Sequence, residues 1–133
     1  MGSVSVTTSK TGVTPGHSGW QRVQVDWTTS DAQAAASDTI CLVGELREVV
    51  TIPQSDATYN WPKGNYDVQL LDPAFAGVDY LNGKALNRSS DTVEFAEPLC
   101  GSVVSPAVAG NVIFKISGVS DTQRGSVILL LHN

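Results

Sequence analysis

Residues 20–29 read WQRVQVDWTT. Val23, Val25 and Trp27 take one set of alternate positions, and Gln24, Asp26 and Thr28 take the other. Successive side chains of a β-strand point to opposite faces. This strict period of two therefore predicts a strand with one face in a core and one toward water.

The same grammar continues on both sides. Upstream, Val4 and Val6 alternate with Ser and Thr, and residues 8–19, TSKTGVTPGHSG, read as a loop with Gly-bearing turns and Pro15. Downstream, SDAQAAASD (30–38) is the one plausible helical piece, with Ser30 as cap and Asp31 favouring the helix start. It is too short to stand alone, so a loop is an equal reading. TICLVGELREVVTIP (39–53) predicts a long strand with a bulge or bend near Gly44, ending at Pro53. QSDATYNWPKG (54–64) is a loop carrying Tyr59 and Trp61.

NYDVQLLD (65–72) predicts a strand with Tyr66, Val68 and Leu70 on one face, turned by Asp72, Pro73 and Gly77. VDYLNG (78–83) reads as a short returning strand ending in the Asn82-Gly83 turn. TVEFAEP, NVIFKIS and SVILLLH follow, the last two joined by the hairpin loop GVSDTQRG. Seven or eight strands separated by turn signals, without a βαβ rhythm, predict an all-β antiparallel β-sandwich, jelly-roll-like. The polar residues 1–19 are expected to form an extended N-terminal arm or loop, and residues 20–133 a single domain.

The bulk numbers agree with one domain. A chain of 133 residues buries roughly two-thirds of its unfolded surface on folding. Charged residues make up 16%, below the usual ~25%, and Thr and Val suit strands. The net charge is −5 and the eight Lys and Arg are scattered. Nucleic-acid binders draw affinity from clustered basic residues, so no nucleic-acid partner is expected. No run of about 18 apolar residues suggests a membrane helix, and MGSVSVTTSKTG lacks the form of a signal peptide. Cys41 and Cys100 sit in apolar surroundings and read as buried free thiols, with no zinc spacing.

Catalytic constellations are weak. A general base must be held near its target, whereas His17 lies in a Gly/Ser loop and His132 is next to last. No GxSxG elbow occurs. Glu45 and Glu48, like Glu94 and Glu97, are three apart and so face opposite sides of a strand. A glycosidase needs two converging carboxyls, which only separate strands could then supply. Asp67, Asp72 and Asp79 offer oxygen ligands for a hard cation without an EF-hand spacing. The simpler reading is a scaffold of strands and turns: Asp72, before Pro73, accepts backbone hydrogen bonds in its turn, Asn82-Gly83 makes the next turn, and Arg88 pairs with an aspartate across the strand. No enzyme activity, cofactor or metal is expected.

The residues expected to carry contacts are Trp20, Tyr59 and Trp61, with Val4 and Val6 of the arm. Trp and Tyr at strand ends cap a core, anchor a protein contact or stack on a sugar. Residues 127–131, VILLL, lack polar alternation, as in a strand buried on both faces. A small sandwich needs a further cover for the second face, which points to a homo-oligomer.

The pattern Tyr66-Asp67-Val68, then Asp72, Gly77, Val78 and Asp79, then Gly83, Asn87 and Arg88, resembles small β-rich structural proteins of tailed bacteriophages. GELREVVTIP before it and GSVILLLHN at the end are similar to that group, and the resemblance runs from about Trp20 onward. It implies a non-enzymatic virion component, foremost a capsid decoration or cement protein, with the major capsid protein or other virion proteins as partners. A trimer is the oligomer such proteins suggest. A neck, tail or fibre component is the nearest alternative. A carbohydrate-binding β-sandwich using Trp61 and Tyr59 is the alternative from another class.

Overall fold

The computed structural model describes residues 3–11 as backbone, and residues 19–30, 36–75, 77–99 and 105–132 in full. Its strands are β1 (Ser3–Thr11), β2 (Trp20–Thr28), β3 (Ala36–Gln54), β4 (Asp67–Leu71), β5 (Glu94–Ala96), β6 (Ala107–Ser117) and β7 (Arg124–His132). Among the described residues there is no helix. The strands form one antiparallel sheet in the order β1-β2-β7-β3-β6-β4, with β5 added on β3.

The alternation in 20–29 is realised as expected: Val23, Val25 and Trp27 are buried. So are Tyr66, Val68 and Leu70. Within residues 1–19, Ser3–Thr11 pairs with β2 along its full length, Val4 opposite Trp27 and Val6 opposite Val25. Of the helical piece considered at 30–38, Ser30 forms a bridge and Ala36–Asp38 belong to β3, while residues 31–35 lie outside the described residues.

β3 organises the molecule. Its first half pairs with β6 and its second with β7, and Glu45 pairs with both Ala107 and His132, so these neighbours lie on opposite edges. The bulge expected near Gly44 falls at Arg47, where the register with β7 shifts between Leu46 and Glu48. Gly44 has a φ of 133°, a backbone that favours glycine, and provides a bend of its own.

Two further expectations are corrected. Residues 78–83 form no returning strand, and only Leu71 and Asp79 bridge. The Asp79 carboxylate accepts from the backbone N–H groups of Leu70, Leu81 and Gly83, which turns the chain before a ladder can start. Cys41 is exposed, because it alternates outward between Ile40 and Leu42 of β3; Cys100 lies outside the described residues.

One apolar cluster draws on β2, β3, β4, β6 and β7 and is extended by Leu81, Ala85 and Val119. The rings of Trp27 and Tyr66 pack with centroids 5.7 Å apart. Tyr66 directly precedes β4, which is four places from β2 in the sheet. A flat sheet would separate such strands by about 19 Å, at ~4.8 Å per strand. The sheet therefore curls enough for the Trp27 side chain of β2 and the Tyr66 side chain before β4 to meet in the core.

Candidate functional site

The opening pattern of aspartates and asparagines is absorbed by turns. Asp67 accepts from the Asn87 N–H at 2.9 Å. Asp72 accepts from Ala74 and Phe75 N–H and from the Tyr80 hydroxyl. Asn65, Asn82 and Asn87 have positive φ, a conformation Asn tolerates in turns. Among the described residues Arg88 forms no salt bridge with an aspartate; its Nε donates to the Leu86 carbonyl. Among the described residues, no group of three His, Cys, Asp or Glu is placed to hold a metal ion.

The surface with the most unusual chemistry is the outer face of β2, β7, β3 and β5. The pairing fixes its rows. Gln24, Ile128, Val50 and Phe95 form one row, and Arg22, Leu130 and Glu48 the next. Of the run VILLL, expected to be buried on both faces, Val127, Leu129 and Leu131 are buried in the core, whereas Ile128 and Leu130 are only half-buried on the outside. Phe95 is 67% exposed and covers Val50, which is only 4% exposed although it faces outward. Phe95 with Val50 and Ile128 thus gives this face an apolar centre.

Toward the start of β7 this face becomes polar. Arg22 donates to Gln24, Gln24 to Asp26, and Ser126 bonds Asp26. Gln54 joins from β3, accepting from Ser126 at 3.1 Å and from Arg124 at 3.3 Å. These bonds link three strands beside the apolar centre.

At the other end lies a cleft of about 260 Å³, lined by Trp20, Arg47, Glu48, Glu97, Leu99, Ser105 and Leu130. The β3 bulge makes it. In a regular strand Arg47 and Glu48 would face opposite sides; the extra residue lets both line one cavity. Glu97 and Leu99, just after β5, contribute to its lining. Asn82 Nδ2 donates to the Leu99 carbonyl, and Pro106 accepts from the Leu46 N–H at 2.8 Å. Glu48 of β3 and Glu97, which directly follows β5, thus line one cleft, which spacing within one strand did not predict. Trp20 is 44% exposed and packs edge-on against His132, with centroids 5.0 Å apart and planes at 67°.

The three aromatics singled out in the sequence are not brought together. Trp20 pairs with His132 at one end of β7. Tyr59 and Trp61 lie in the loop whose Asn60 bridges Gln123, at the other end. From His132 to Gln123 is nine positions, about 30 Å along the strand. Trp61 is 50% exposed between two anchors, Asn60 N–H to the Thr122 carbonyl and Lys63 N–H to Gln123 Oε1. Phe95, Val50 and Arg47 were not signalled by the sequence, and Glu48 and Glu97 were weighed there only within the pairs Glu45/Glu48 and Glu94/Glu97. The apolar run 127–131 was the one available signal for this face. Among the described residues no helix is long and apolar enough to cross a membrane. No protein-family model matches the chain, and no curated protein or solved structure matches it either.

Proposed function

We propose that the protein is a non-enzymatic structural component of a virion, foremost a capsid decoration protein. It docks on the shell protein through the outer face centred on Phe95, Val50 and Ile128. The observation that carries this is the apolar centre bounded by a hydrogen-bonded polar margin, the anatomy of a protein interface: a dry core within a polar rim. The resemblance of the 65–88 pattern to phage structural proteins supplies the class of particle. The finer architecture in this reading is a jelly-roll-like sandwich, with β3 passing between layers at its bend and with the Trp27–Tyr66 contact as support.

Many copies on one shell would turn a weak single contact into a stable coat. Co-sedimentation of the purified chain with shells lacking it tests the docking face. The wild-type chain pellets with shells, and Phe95→Asp stays in the supernatant while its unfolding temperature hardly changes. Equal pelleting of both would remove Phe95 from the contact. Sedimentation of the chain alone shows whether the same face also joins copies into a trimer.

A further inference from the structure

We infer that the cleft between Trp20, Arg47, Glu48 and Glu97 is a binding site for one neutral sugar ring of a glycan. The lining selects the ligand by elimination. An anion would meet two carboxylates, Glu48 and Glu97. A cation would meet Arg47, one of whose donors already serves Glu45 at 2.9 Å. A wholly apolar ligand would strip water from all three charges without replacing it.

A polyol suits all of them, since each hydroxyl both donates and accepts. Its hydroxyls can donate to Glu48 and Glu97 and accept from Arg47, and charged partners make such bonds stronger. Its C–H faces carry slight positive charge and pack on the negative face of an indole, which Trp20 supplies at the rim. Leu99 and Leu130 form the apolar floor and side. Pockets for drug-sized ligands run from about 300 to 1,000 Å³. A volume of about 260 Å³ is the size of one ring.

This site is separate from the Tyr59–Trp61 loop, and it stands whether or not the outer face docks on a shell. The experiment uses the free chain and four probes: the methyl glycosides of glucose, galactose, mannose and N-acetylglucosamine. Tryptophan fluorescence is followed up to about 100 mM, two decades above the millimolar affinity that a single ring can reach. At least one probe is expected to give a saturable change. Trp20→Ala abolishes it, Glu97→Gln weakens it roughly tenfold by removing a charged acceptor, and Trp61→Ala leaves it intact. Glu97 is exposed, so its variant folds even if the Trp20 variant does not. No saturable response to any probe would overturn the assignment. A response lost in Trp61→Ala and kept in Glu97→Gln would also overturn it.

Discussion

Single residues carry sharp tests of the packing. A Cβ on Gly125 would lie 2.7 Å from the Trp27 ring, its direct partner across the β2–β7 pair. Gly125→Ala is therefore expected to lower stability by about 1–3 kcal/mol through overpacking, measured by denaturant unfolding. Tyr66 gives the opposite expectation. Its ring is buried against Trp27, but its hydroxyl makes no regular hydrogen bond. Tyr66→Phe keeps the ring and removes a stranded polar group, so stability should stay within about 1 kcal/mol or rise. Asp79→Ala should cost about 1–3 kcal/mol, because the Leu70, Leu81 and Gly83 N–H groups lose their acceptor. Asp79→Asn keeps an oxygen there and should recover part of that loss. The turn roles of Asp72 and of Asn82-Gly83 were legible in the sequence, because those residues bond their own neighbours. Asp79 was not, because one of its three partners, Leu70, lies on β4 across the turn.

At the scale of elements, periodicity located the strands with a buried face and placed their inward residues correctly, as in β2 and β4. It could not place the β3 bulge. Gly44 and Arg47 both lie in an apolar run, and glycine was the more visible irregularity. The extra residue is identified only by which partner each neighbour meets: Leu46 opposite Leu131 and Glu48 opposite Leu130. The consequence is testable. Deleting Arg47 should preserve the inward set of β3, since Leu46 and Glu48 then follow one another in regular register. The deletion variant should fold, with amide-exchange protection of β7 retained. Loss of that protection would show that the bulge itself is needed for the curl. The cleft was illegible for the same reason, being made by a register shift and by the lining residues Glu97 and Leu99, more than forty residues away in the chain.

For the whole molecule, titration limits stability at both ends. The Asp56 carboxyl is held below its ordinary 3.8 chiefly by the Tyr59 and Thr58 N–H groups, with Arg124 adding to them. The Tyr80 hydroxyl and Ala74 N–H hold Asp72 down in the same way. A lowered carboxyl stabilises the fold above pH 3.8 and loses that contribution as pH falls through its lowered value. Both groups are exposed, so the acid loss should be shallow. Burial pushes the Tyr66 phenol up to about 12, partly offset by the Thr51 hydroxyl. That raised value stabilises the fold below pH 10, and the contribution is lost between pH 10 and about 12. Unfolding temperature should therefore fall steeply in the alkaline window, and less so in Tyr66→Phe. The outer face should be silent in these experiments, since Phe95 is largely exposed. The role proposed for it belongs to assembly, so the most direct measurement is a mass-spectrometric count of this chain on purified particles, relative to the major shell protein. The account predicts a ratio near one or a simple fraction such as one-third, as expected of a coat that follows the shell lattice. Absence of the chain from particles would contradict it.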